Sequence, residues 1–132
     1  GAVSFTYELR VRYGECDPQG IVFNANYLLY FDVAFTEFWR ARVGTWQEMV
    51  DGGVDAVVAE ANVRFLAPAR FDDVLALAVV TDELGTTSTT TRIDVRRDGE
   101  LLVEGRLRHV FVDTGTWAKT PMPEAIRAKL EA

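Results

Sequence analysis

Asn26-Tyr27-Leu28-Leu29-Tyr30-Phe31-Asp32-Val33-Ala34-Phe35-Thr36-Glu37-Phe38-Trp39-Arg40-Ala41-Arg42-Val43 is the stretch on which the fold turns. Tyr27, Tyr30, Phe31, Ala34, Phe38 and Ala41 recur at helical spacing, and Leu28, Phe35 and Trp39 widen the apolar surface beyond one stripe. Polar residues concentrate at Asp32, Thr36, Glu37 and Arg40. A helix this apolar must be covered on most sides. Asn24 and Asn26 suit its N-cap, while Arg42 and Gly44 suit its end.

The surroundings of this helix read mostly as strands. Phe5, Tyr7, Leu9, Val11 and Tyr13 alternate with polar residues, which is the period of a half-buried strand. Downstream, Trp46 to Val50 reads as a short helix. Ala56 to Ala67, Val74 to Leu84, Thr86 to Arg97 and Leu101 to Val112 read as strands, and Glu124 to Leu130 as a C-terminal helix. The apolar run in Val74 to Leu84 predicts burial on both faces. The Thr/Ser run from Thr86 to Thr91 suits a strand with one wet face. Asp98-Gly99 marks a hairpin. Consecutive strands joined by short turns are expected to pair antiparallel. The fold class is therefore α+β, a curved five-stranded antiparallel sheet wrapped around one long central helix, in a single domain over residues 1–132.

Composition narrows the function. The chain has 132 residues, of which 48% are hydrophobic and 26% charged, as in ordinary soluble domains. A net charge of −6 argues against a general nucleic-acid binder. No apolar run is long enough to span a bilayer, so membrane insertion is not expected. The N-terminus shows no secretory-leader pattern, and the single cysteine, Cys16, allows no internal disulfide, so the cytoplasm is the expected compartment. The one histidine, His109, excludes chemistry that needs two. No metal site and no cofactor are expected.

Between the first strand and the helix lies Gly14-Glu15-Cys16-Asp17-Pro18-Gln19-Gly20, a turn marked by Pro18 and Gly20. Taken alone, Asp17 before Pro18 suits a turn or a cap as well as catalysis. The longer stretch Arg12-Tyr13-Gly14-Glu15-Cys16-Asp17-Pro18-Gln19-Gly20-Ile21-Val22-Phe23-Asn24-Ala25-Asn26-Tyr27 resembles the hotdog-fold thioesterases of the 4-hydroxybenzoyl-coenzyme A thioesterase family. That family includes the acyl-coenzyme A thioesterases encoded with the bacterial Tol-Pal system. Phe65-Leu66-Ala67-Pro68-Ala69-Arg70-Phe71-Asp72-Asp73 carries a second match, and the element order extends the likeness over nearly the whole chain.

The resemblance implies a hotdog fold with the helix as its filling. It implies an acyl-CoA substrate and homodimers that assemble into homotetramers, with active sites at the dimer interface. It places the family's catalytic Asp on Asp17, and the backbone N–H that polarises the thioester carbonyl on Asn24. Many Tol-Pal-type members carry His where this chain has Asn24, and the Gly14–Val22 run is closer to the 4-hydroxybenzoyl type. Gly20, Ile21, Val22, Phe23 and Tyr27 are the expected substrate-binding residues.

On chemical grounds Asp17 has two routes: direct attack on the carbonyl, or deprotonation of a water. Free N–H groups at a helix start stabilise oxyanion charge. Cys16 lacks a neighbouring His and reads as a small buried residue. His109 reads as structural or superficial, and Asp32, Glu37 and Glu60 as structural. Arg70, Arg92, Arg96, Arg97 and Lys119 are the cations available for coenzyme A phosphates. The competing expectations are a non-catalytic acyl-CoA binder, favoured if Asp17 is buried in a satisfied cap, and an acyl-thioester hydratase, which needs a His paired with a carboxylate.

Overall fold

The alternating segment at the start forms β1, Ser4–Arg10, whose Phe5, Tyr7 and Leu9 turn inward. The structure, a computed structural model, describes residues 3–131; Gly1, Ala2 and Ala132 lie outside the described residues. The strand ends earlier than its alternation suggests. Arg12 opens a 3₁₀ turn over Tyr13–Glu15, so Tyr13 leaves the sheet and is 79% exposed instead of buried.

Helix α1 spans Asn26–Arg42, and Gly44 closes it with φ +150. Tyr27, Tyr30, Phe31, Ala34, Phe35, Phe38 and Trp39 are its buried residues, a face with spacings of three and four. The rest of the helix is barer than its composition suggests: Leu28, Leu29 and Val33 are exposed. The residue at the N-cap position is Ala25, and neither Asn24 nor Asn26 caps the helix with its side chain. Instead, Asn26 is the first helical residue and its Nδ2 donates to the Glu15 carbonyl.

Helix α2, Trp46–Asp51, is capped by Thr45, whose Oγ1 accepts the Glu48 N–H at 3.1 Å. Then come β2 (Val54–Phe65), β3 (Val74–Leu84), β4 (Ser88–Arg97), β5 (Glu100–Asp113) and α3 (Glu124–Glu131). Lys129 of α3 donates to the carbonyl of Val43, just past the end of α1, a place where a cation meets the helix dipole favourably.

The sheet order is β1-β3-β4-β5-β2, antiparallel throughout. The β3–β4 and β4–β5 hairpins follow the chain; at Asp98-Gly99 both residues take positive φ, as a tight hairpin turn demands. The neighbours β2 and β3 do not pair. The chain crosses between them, leaving β2 as an edge beside β5. Register shifts at Val58/Glu60, Thr81/Glu83 and Val95/Arg96 bend and twist the sheet.

Two burial expectations need correction. In β3 only one face is sealed: Leu75, Leu77 and Val79 are fully buried, whereas Ala76, Ala78 and Val80 are half-buried. In β4 the threonines have no wet face; Thr89, Thr90 and Thr91 are all buried, because the strand lies in mid-sheet and Arg106 and Arg108 flank Thr90.

The Phe31 ring of α1 packs directly on Gly105 of β5. A Cβ there would stand 2.5 Å from the Phe31 ring, which is itself fully buried. Gly105→Ala is therefore expected to lower stability by about 1–3 kcal/mol, as overpacking does. Urea unfolding checks this: the midpoint should fall at unchanged slope, and Phe31→Leu in the same chain should restore part of the loss. An unchanged midpoint contradicts the contact.

Candidate active site

The turn before α1 is a short hairpin. Cys16 bridges Val22, the Asp17 N–H donates to the Ile21 carbonyl at 2.9 Å, and the Gly20 N–H returns to the Asp17 carbonyl at 2.9 Å. Pro18 suits the second position of that turn, and Gly20 supplies the left-handed residue with φ +80. Asp17 thus sits at the tip, half-buried. Its Oδ1 accepts the Gln19 N–H at 2.8 Å, and its Oδ2 has no partner among the described residues.

A cleft of about 430 Å³ opens beside this tip, within the usual range for small-molecule sites. Asp17, Ile21, Val22, Asn24 and Tyr27 line it, so five of the seven expected site residues converge. The other two stand apart: Gly20 is exposed in the turn, and Phe23 is exposed with its N–H committed to the Glu15 carbonyl. Phe65, Ala67 and Pro68 complete the apolar wall. They come from the end of β2 and the turn after it, and sequence reasoning did not select them, although Phe65–Asp73 carries the second family resemblance. The Phe65 ring meets Tyr27 edge-on at 5.7 Å. Burial pushes the Tyr27 phenol up to about 12, so it stays protonated.

The start of α1 faces the same cleft through Asn24. The Asn26, Tyr27 and Leu28 N–H groups are bonded to Phe23, Asn24 and Ala25 carbonyls. The backbone N–H of Asn24 has no acceptor among the described residues, so it is free to donate to a ligand. The cleft therefore combines a carboxylate with one free oxygen and a free amide donor at a helix start.

The remaining candidates lie elsewhere. Cys16 is half-buried, with its Sγ near the Arg12 carbonyl. Glu37 pairs with Arg40, and Glu60 stands on the outer face near Arg108. Arg92 and Arg96 flank Asp94, and Arg97 holds Asp73 and Glu100. Arg70 bridges Ile21 through its backbone, and its side chain has no ion pair among the described residues. No group of three His, Cys, Asp or Glu among the described residues is arranged to hold a metal.

His109 is deeply buried, stacked on Phe35 at 4.1 Å, and outside the Asp17 cleft. Burial lowers its pKa to about 4.

Comparison with known proteins follows the same lines. The thioesterase-like superfamily model matches residues 11–130. The chain is 30% identical to the acyl-CoA thioester hydrolase YbgC of Escherichia coli over 128 residues, 96% of each chain. It is 31% identical to the 4-hydroxybenzoyl-CoA thioesterase of Pseudomonas sp. strain CBS-3 over 99 residues, 73% of this chain and 70% of that one. The crystal structure of a thioesterase superfamily protein from Jannaschia sp. CCS1 superposes with a TM-score of 0.91 at 26% identity, covering 97% of this chain and 91% of the other.

The buried imidazole gives a pH dependence whose sign is fixed. The unfolded chain takes up a proton near pH 6.5, whereas the folded chain takes it up only near pH 4, so this contribution is complete above 6.5 and is lost as the pH falls to 4. The loss amounts to at most about 3 kcal/mol. His109→Phe should make stability fall less steeply between those values, as read by urea unfolding at pH 7 and 4.5. An identical pH slope in wild type and variant contradicts the assignment.

Proposed function

The chain belongs to the thioesterase-like superfamily, and on that footing we propose that it hydrolyses acyl-coenzyme A thioesters to free acid and coenzyme A in the cleft beside Asp17. The observation that carries this reading is the pairing of a carboxylate whose Oδ2 is free with the unengaged Asn24 N–H on one cleft. The relatives named as thioesterases support the reaction class.

In this reading the thioester carbonyl oxygen accepts the Asn24 N–H, and the positive end of α1 stabilises the charge that develops there. Two routes share that geometry. In one, Asp17 attacks the carbonyl carbon and the C–S bond breaks. The coenzyme A thiolate leaves and is protonated by water, and a second water cleaves the resulting anhydride. In the other, Asp17 takes a proton from water, the hydroxide adds to the carbonyl, and the thiol leaves with that proton. The Tyr27–Phe65 wall receives the acyl group, and Arg70, whose backbone bridges Ile21 and whose side chain has no ion pair among the described residues, is the cation assigned to a phosphate in this reading.

The competing readings have less support. Asp17 is not sealed into a satisfied cap, which disfavours a non-catalytic binder. His109 lies outside the cleft, which disfavours a hydratase.

A second copy is part of the proposal. Strand β2 is a twelve-residue edge with Val57, Val58 and Phe65 exposed, Leu66 just after it is exposed too, and Phe65 also walls the cleft. An apolar edge of this length invites pairing with another β2, giving a homodimer and, by further association, a homotetramer. No described helix is long and apolar enough to cross a membrane, and the lone cysteine supports a cytoplasmic home.

Thiol release from a panel of acyl-coenzyme A esters tests the reaction. Wild type should turn over some of them, and Asp17→Asn should lose at least about 10²-fold, in line with removal of a catalytic base. Asn24→Ala should change little, because the contact is a backbone one. Near-normal turnover by Asp17→Asn sinks the mechanism. Sedimentation velocity on the same wild-type preparation should show at least two chains per particle, and a fully active monomer contradicts the assembly.

A further inference from the structure

Glu15 is a carboxylate without a part in the chemistry above, yet among the described residues it is the one buried Asp, Glu, Lys or Arg, at 9% exposure. Its Oε1 accepts the Arg12 backbone N–H at 2.8 Å and the Tyr30 hydroxyl at 2.9 Å. Its Oε2 accepts Nε and Nη2 of Arg12 at 2.9 and 2.6 Å. The backbone carbonyl of the same residue accepts the Phe23 N–H at 2.9 Å and Asn26 Nδ2 at 2.8 Å. Burial pushes the carboxyl up, but these donors outweigh it and hold the group below its ordinary range, so it stays charged.

The positions of those partners matter. Glu15 and Phe23 close the base of the hairpin whose tip carries Asp17. Asn26 and Tyr30 are four residues apart on α1, hence on one face of the helix. One residue therefore ties the turn to the helix at two successive points, and only Cys16 separates it from Asp17. Stability alone does not call for a charge here. A buried ion pair is often no better than well-packed apolar groups of similar volume, whereas a network of directed bonds fixes a single geometry.

We infer that Glu15 is a positioning residue: its side chain and carbonyl clamp the Asp17 hairpin to the first turns of α1 and so set the Asp17 carboxylate against the free Asn24 N–H. This rests on the reading of Asp17 as the reacting carboxylate. The clamp touches no substrate; it acts through the distance between the attacking oxygen and the amide that polarises the carbonyl. A shift of about 1 Å in such a distance costs on the order of 10²-fold in rate.

The test is steady-state kinetics on an ester that wild type hydrolyses, with Glu15→Gln, Tyr30→Phe, their double variant and Asp17→Asn measured side by side, each corrected for its folded fraction by thermal melting. Glu15→Gln keeps shape but turns an amide toward the Arg12 guanidinium. Tyr30→Phe removes one donor and leaves the ion pair. Positioning predicts that Glu15→Gln lowers kcat roughly 10- to 100-fold with KM within about 3-fold. Tyr30→Phe should lower kcat several-fold, and the double variant should be little worse than Glu15→Gln alone, because both act through one clamp. A purely structural role lowers the melting temperature and leaves kcat per folded molecule unchanged; that result overturns the inference, as does a loss confined to KM. If Glu15→Gln does not fold, Tyr30→Phe decides, and wild-type kcat in that variant overturns the clamp. Full activity in Asp17→Asn marks a different failure, that of the catalytic reading, whatever the Glu15 variants do.

Discussion

Phe31 lies where a side chain on residue 105 would have to be, and the rest of the molecule is arranged around that contact. An apolar helix face of seven buried residues needs a matching surface, and a flat sheet offers too little of one. Register shifts in three strand pairs bend the sheet around the helix, and the absence of a Cβ at Gly105 leaves room for the Phe31 ring against the β5 backbone. Once α1 is seated, its N-terminus has a fixed place, and the hairpin before it is pinned there by Glu15, Asn26 and Tyr30. The packing that stabilises the fold is thus also what brings a carboxylate to a helix start.

That site is simple in its parts. The turn leaves Asp17 Oδ2 free by bonding only Oδ1, and just ahead of α1 the Asn24 and Ala25 amides have no acceptor among the described residues, whereas those of Asn26, Tyr27 and Leu28 are bonded. Neither feature needs a metal or a second titratable side chain. Both are oriented by backbone, which suits preorganised electrostatic stabilisation, since aligned dipoles need not reorganise during reaction. The wall facing them, Tyr27 and Phe65, belongs to the helix and to the edge strand β2, so the cleft lies beside an edge of the sheet.

Much of this was legible in the sequence because period carries it. The spacing from Tyr27 to Trp39 reported the buried helix face, and Asp98-Gly99 reported a hairpin through its two positive φ values. Other features carry no local signal. Tyr13 keeps the alternation of β1, yet the chain has already left the sheet, because the Arg12–Glu15 bonds favour a tight turn. Thr89 to Thr91 look wet by residue type and are buried by their place in mid-sheet. The pairing of β2 with β5 joins elements separated by two other strands, which no local pattern encodes. In the site, Asp17 and Asn24 were found through resemblance, not spacing. Phe65 and Pro68 reach the cleft only through tertiary packing, and Glu15 looks in sequence like an ordinary turn carboxylate.

The most direct measurement is a crystal structure of the protein with an acyl-coenzyme A analogue in which a methylene replaces the thioester sulfur. The account predicts the ketone oxygen about 2.7–3.1 Å from the Asn24 backbone nitrogen, with the carbonyl carbon roughly 3–3.5 Å from an Asp17 oxygen or from one water held by it. A ketone that is ordered in the cleft but points away from both groups contradicts it.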